Sequence, residues 1–271
     1  MDPPDELEVD LLLEALVRRF GYDFRAYERG AVTDKLRALM AERQLATVSL
    51  LQDRVLHDGG TAACLLRALS VQPTPLFCDM EQTGALRQVL ASCLRASAVP
   101  KVWLAECAGA EEAWSLVILL VEQGLDARTE IFATVANEEV LAEVRDASIP
   151  PARLAMCAEQ YAAHGGAAAL QDYFDIDGEH AVLKESLRRR ITWAQYNLVT
   201  DASFNEFQMI VCSRALADFG PVLRGRVLRL FHDSLALFGV LGLDREFDAG
   251  DPLAALYQPV VAQKGWYKRI G

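Results

Sequence analysis

Val102-Trp103-Leu104-Ala105-Glu106-Cys107-Ala108-Gly109-Ala110-Glu111-Glu112-Ala113-Trp114-Ser115 is the stretch on which the fold turns. Val102–Ala105 is an unbroken apolar run, as in a strand buried on both faces. Small residues follow at the turn, and two carboxylates then open a helical segment, where the positive end of the macrodipole suits them. Strand, turn and helix in that order put the turn at the carboxyl end of a strand, where an open α/β sheet receives ligands.

The alternation continues through the rest of the chain. Ile131–Val135, Ile191–Ala194, Met209–Cys212 and Val240–Leu243 read as further strands, with helices near Glu111–Glu122, Glu138–Arg145 and Val222–Phe238. This predicts a mostly parallel sheet with helices on both faces. Ala255–Val261 and Trp266–Ile270 flank Gln263-Lys264-Gly265 as a closing antiparallel hairpin. Between Ile149 and Arg190 the alternation fails. Pro150, Pro151 and Gly165-Gly166 interrupt it, and Tyr173–Ile176 and Ala181–Leu183 meet at Asp177-Gly178, a hairpin signal. Upstream of Pro100 only helices are expected. Leu12, Leu13 and Leu16, then Leu36, Leu39 and Met40, recur at helical spacing. Asp58-Gly59-Gly60 breaks the pattern with Thr61 as candidate cap, and a longer helix is expected near Glu81–Ser97.

Composition narrows the function. The chain has 271 residues, 52% of them hydrophobic, enough for a sizeable core. A net charge of −11 argues against nucleic acid and anionic membranes as partners. The N-terminus carries no signal-like apolar run and no apolar stretch is long enough to insert in a membrane, so a cytoplasmic location is expected. Cys64, Cys78, Cys93, Cys107, Cys157 and Cys212 show no paired spacing and read as reduced thiols. His57, His164, His180 and His232 are scattered, so no metal site is expected.

Five ordered anchors resemble the CheR-type chemoreceptor (protein-glutamate) methyltransferase family. They are Phe20-Gly21-Tyr22-Asp23-Phe24 with Tyr27, the segment Leu69 to Asp79, the strand-turn-helix above, Tyr196-Asn197-Leu198-Val199, and Met209 to Phe219. The resemblance implies an N-terminal all-helical domain (1–80), a linking helix (81–98) and a Rossmann-like methyltransferase domain (99–271) with a small antiparallel insertion near 149–190. It also implies that the cofactor, where there is one, is S-adenosylmethionine, and that the insertion takes a protein or peptide partner such as a receptor tail.

Several positions depart from the family pattern. Glu106 stands where a small residue is usual, and Cys78 where an arginine reaches the cofactor. Val135 replaces the acid that takes the ribose hydroxyls, Arg214 replaces an asparagine, and Asp218 a tyrosine near the transferred methyl. Glu111, Glu112, Asn197 and Leu198 remain as residual cofactor-binding positions. No catalytic residue is assigned and no cofactor is expected. The resulting expectation is a pseudo-methyltransferase that binds a partner, probed against the alternative of a divergent active enzyme. Arg188-Arg189-Arg190, beside the insertion, is a candidate contact for an acidic peptide.

Overall fold

The computed structural model describes residues 6–77, 79–248, 250–261 and 265–271, and only the backbone of Met80. Four helices come first: α1 (Glu6–Phe20), α2 (Arg29–Glu42), α3 (Val48–His57) and α4 (Gly59–Leu69). Their apolar faces meet in a core that includes Leu12, Leu16, Leu36, Val48, Leu51 and Leu65. Asp58, not Thr61, caps α4. Its carboxylate accepts from the Gly60 and Thr61 N–H groups at 3.2 and 2.8 Å, so the two glycines lie at the helix start.

The helix expected near Glu81–Ser97 forms as α5 (Met80–Val89) and continues as a π-helical stretch over Leu90–Leu94. Then follow β1 (Lys101–Leu104), α6 (Glu111–Glu122), β2 (Glu130–Val135), α7 (Glu138–Arg145), α8 (Pro151–Ala163), β3 (Phe174–Asp177), β4 (His180–Leu183) and α9 (Glu185–Arg188). The remainder comprises β5 (Ile191–Gln195), β6 (Phe207–Cys212), α10 (Ala215–Asp218), α11 (Pro221–Ser234), β7 (Leu235–Leu243), β8 (Tyr257–Pro259) and β9 (Trp266–Arg269).

The main sheet has the order β5-β2-β1-β6-β7-β9-β8. Strands β5 to β7 run parallel, and β9 pairs antiparallel with both β7 and β8. This is the expected Rossmann-like arrangement with its closing hairpin; Gln263 and Lys264 of the expected turn lie outside the described residues. Between β1 and β6 the strand order reverses, which places the ligand crevice outside their carboxyl ends. Strands β3 and β4 form the expected separate hairpin.

One boundary is corrected. The helix expected over Val222–Phe238 stops at Ser234, and Leu235–Phe238 already belong to β7. The strand then bulges, for Phe207 faces Leu235 while Met209 faces Val240. Phe238 takes a φ of 65° there, a conformation usually left to glycine.

The chain forms two compact units. One holds α1 to α4 together with Arg214–Arg226; the other holds Pro73–Ser213 and Val227–Gly271. In the helical unit, Tyr27 and Phe219 form a β-bridge and the Gly220 N–H donates to the Ala26 carbonyl at 2.9 Å. A Cβ on Gly220 would lie 2.7 Å from that carbonyl oxygen, so only glycine allows this approach.

Candidate functional site at the carboxyl ends of the strands

The loop after β1 is held from both sides. The Ala105 N–H donates to the Val211 carbonyl at 2.8 Å and the Cys107 N–H to the Thr134 carbonyl at 2.7 Å, which fixes the loop across the ends of β6 and β2. Glu106 lies between these two anchors with a φ of 60°. A non-glycine residue there carries a strain of roughly 1–2 kcal/mol. Its side chain is half-buried, and burial pushes its carboxyl up to about 7. Glu106 therefore does not project into open solvent. Next to it the Cys107 thiol is buried and held well above its usual range, first by burial and then by the Glu112 and Glu106 carboxylates.

Glu111 and Glu112 begin α6 and are both engaged. Glu111 Oε2 accepts from the Leu76 N–H at 2.8 Å and forms an ion pair with the Arg153 guanidinium. Glu112 accepts from the Ser213 hydroxyl. Ser115 accepts from the Phe77 N–H at 3.2 Å, and a Cβ on Gly109 would lie 3.2 Å from the Pro73 Cβ. The segment 73–77 thus packs against the turn and the first turns of α6.

At the ends of β2 and β5, Val135 is fully buried and offers its backbone carbonyl to the Tyr196 N–H at 2.9 Å. Its side chain accepts no hydrogen bond. Asn197 is exposed and closes a local turn, its side-chain oxygen accepting from the Val199 N–H at 2.8 Å while Asp201 accepts from its own N–H at 2.9 Å. Leu198 is buried.

Glu106, Glu111, Glu112, Val135, Asn197 and Leu198 all fall in the α/β unit, at the strand ends or the loops that follow them. Arg214 and Asp218 belong to the helical unit. Arg214 is exposed, whereas Asp218 accepts from Lys35 Nζ at 2.6 Å, and Lys35 also donates to the Leu69 carbonyl at 3.1 Å. Asp218 is therefore a partner of α2 within its own unit. Cys78 lies outside the described residues.

Arg153 was not singled out by the sequence. It occupies the first turn of α8, a helix whose signal is legible in retrospect: Pro151 at its first position, then Leu154, Cys157 and Tyr161 on one buried face. The far end of α8 is fixed by a second polar group. Glu122, at the end of α6, receives Arg87 at 3.0 Å, the Ala167 N–H at 2.9 Å and the Tyr161 hydroxyl. Arg87 lies over the Tyr161 ring at 5.6 Å from its centre.

The hairpin of the insertion has one covered edge and one open edge. Ala181 of β4 exchanges both backbone hydrogen bonds with Ile149, at 2.9 and 2.8 Å. Among the described residues no strand pairs with the outer edge of β3. Arg188 and Arg189 are both paired with Glu185, and Arg190 stands 3.9 Å from Asp126. Among the described residues no cluster of side chains suits a metal, no helix is long and apolar enough to cross a membrane, and the cysteines are free thiols.

Comparison with known proteins identifies the family. Residues 73–245 match the family described as "CheR methyltransferase, SAM binding domain", and residues 7–70 match "CheR methyltransferase, all-alpha domain". The chain belongs to the CheR methyltransferase family. It is 34% identical over 238 residues to a Pseudomonas putida protein named "Putative methyltransferase Cher3", covering 88% of this chain and 87% of that one. It is 27% identical over 229 residues to a 104.1 kDa protein of Rhodobacter capsulatus, covering 82% of this chain but only 23% of the larger protein. Among solved structures it is similar to the glycopeptide N-methyltransferase MtfA, with 20% identity, 72% of this chain and 64% of that chain covered, and a TM-score of 0.36. An O-methyltransferase family protein from Burkholderia thailandensis gives 14% identity, 83% and 57% coverage and a TM-score of 0.36.

Proposed function

We propose that this CheR family member is a pseudo-methyltransferase, a binding or regulatory protein of bacterial chemosensory-type signalling in the cytoplasm, with weak or lost affinity for S-adenosylmethionine. The observation that carries this reading is Glu106. A half-buried carboxyl group in a left-handed turn at the mouth of the crevice takes up space that a small residue would leave to a ligand. Val135 supports it, since a buried apolar side chain offers nothing to ribose hydroxyls. Glu111 and Glu112 support it too, because each already has a partner within the chain. The residues present fit the cofactor poorly, and we assign no catalytic step through it. A divergent, active protein-glutamate methyltransferase is the second reading, favoured by the retention of both carboxylates at the start of α6.

Restoring the crevice tests the first reading. Combined Cys78→Arg, Glu106→Gly, Val135→Asp and Arg214→Asn replacements should give a folded protein that binds S-adenosylhomocysteine at least about ten-fold more tightly, a gain of about 1.4 kcal/mol. An unchanged affinity in a folded variant would count against side-chain erosion as the cause.

The binding role is assigned to the insertion. Its open β3 edge presents the backbone groups of Ile176, which point away from β4 because the opposing Ala181 groups point towards Ile149. An extended peptide can add there as a further strand, with Arg188–Arg190 nearby in sequence to favour an acidic one. Proline at Ile176 blocks that edge while leaving the hairpin paired. Val182 is unsuitable for this test, since its N–H faces Asp175. Ile176→Pro should lose captured partners that the wild-type protein retains; identical partner sets would remove the β3 edge from the account.

A further inference from the structure

Arg153 stands at the junction between the insertion and the crevice. It is contributed by α8, yet its charge is directed at Glu111, the first residue of α6. The Glu111 side chain is only 17% exposed and also holds the Leu76 N–H, so it is fixed in place at the carboxyl end of the sheet. Arg153 is less well satisfied. Its Nε and Nη2 atoms are buried without a hydrogen-bond partner, so the contact with Glu111 is an ion pair lacking hydrogen-bond geometry. A buried Nε without a partner is costly, and the guanidinium is held there by its ion pair with Glu111.

The two ends of α8 contrast in this respect. At Tyr161 the helix is fixed by Glu122 and Arg87, and a Cβ on Gly166 would lie 2.3 Å from the Tyr161 ring, so the following turn is seated tightly against it. At Arg153 the polar link to α6 is this one ion pair. Pro150 and Pro151 precede it and set the start of the helix without help from the side chain.

We infer that Arg153 is an intramolecular cation that occupies Glu111 and so closes the crevice to a ligand bearing an amino group. The latch belongs to the insertion, which makes the availability of Glu111 depend on where α8 sits. A ligand ammonium and the Arg153 guanidinium compete for one carboxylate. Removal of the guanidinium favours any ligand that has the ammonium and is neutral for one that lacks it. This inference rests on the weak cofactor binding proposed above, but it is read from a ratio of affinities and not from their absolute value.

The test is calorimetric titration of wild-type protein, Arg153→Ala and Arg153→Gln with two probes. S-adenosylhomocysteine carries the amino-acid end; 5′-methylthioadenosine has the nucleoside without it. Both variants should bind S-adenosylhomocysteine at least about ten-fold more tightly than wild type, with methylthioadenosine changed by less than about two-fold. Adding Glu111→Gln to Arg153→Ala should abolish the gain. The inference is overturned if folded variants bind S-adenosylhomocysteine no better than wild type, including no measurable binding in either, or if both probes gain equally. Tight binding by wild type would instead contradict the proposed pseudo-methyltransferase and leave the ratio to decide on Arg153. Thermal melts identify a variant that has lost its fold, and the glutamine variant keeps the side-chain length should alanine disturb α8.

Discussion

Each end of α6 carries a glutamate, and the two are treated differently. Glu122 is 3% exposed and is supplied with donors from Arg87, Tyr161 and the Ala167 backbone. A carboxylate at a helix C-terminus opposes the macrodipole, so this group depends on its donors. Glu111 lies at the favourable end, yet its cation is 41% exposed and has a buried Nε without a hydrogen-bond partner. Glu122 is part of the scaffold that seats the insertion, whereas Glu111 stands beside the turn after β1 and is engaged by Arg153 and the Leu76 N–H.

The largest expected effect breaks that contrast directly. Glu122→Ala leaves the Ala167 N–H and the Tyr161 hydroxyl without this acceptor and Arg87 with only the His164 carbonyl, and should cost about 3–5 kcal/mol in urea unfolding. Glu111→Ala should cost less, about 1–2 kcal/mol, because the Leu76 N–H loses its acceptor while the Arg153 guanidinium, 41% exposed, can be solvated instead. Equal losses would show that both ends are scaffold.

Glu106 sharpens the contrast through pH. Its carboxyl is raised from 4.5 to about 7, so the native state keeps a proton that the unfolded chain releases between those values. Stability from this group is therefore greatest below about pH 4.5, falls as pH rises to about 7, and stays low above. Glu106→Gln removes the dependence, so its advantage over wild type should grow across that window towards about 2 kcal/mol. A constant difference from pH 4.5 to 8 would mean that the carboxyl is solvated.

The smallest effect is expected at Asp218. Its pair with Lys35 is about one-fifth exposed on each side, and Lys35 keeps the Leu69 carbonyl as an acceptor. Asp218→Asn should cost about 1 kcal/mol or less, by thermal or urea unfolding. A loss comparable with Glu122→Ala would make this pair a main support of the helical unit.

Much of this fold is legible in the sequence because the parallel strands are short apolar runs, and such runs signal burial on both faces. Ile131–Val135, Met209–Cys212 and the Asp177-Gly178 hairpin form within a residue or two of where their patterns place them. The start of β7 is not legible for an identifiable reason. Leu235–Phe238 continue the apolar spacing of α11, and the usual punctuation is missing because Phe238, not a glycine, takes the left-handed position. The candidate site residues are visible in the sequence as matches to or departures from a family pattern, but their partners are not. That Glu111 meets Arg153, or Asp218 meets Lys35, depends on contacts across 42 and 183 positions, and no local periodicity encodes them.

We propose that the crevice no longer receives its family's cofactor. Calorimetric titration of the unmodified protein with S-adenosylmethionine tests it most directly. The expected dissociation constant is weaker than about 100 μM, equivalent to less than about 5.5 kcal/mol of binding. A low-micromolar isotherm with one site per chain would contradict it and restore the active methyltransferase as the first reading.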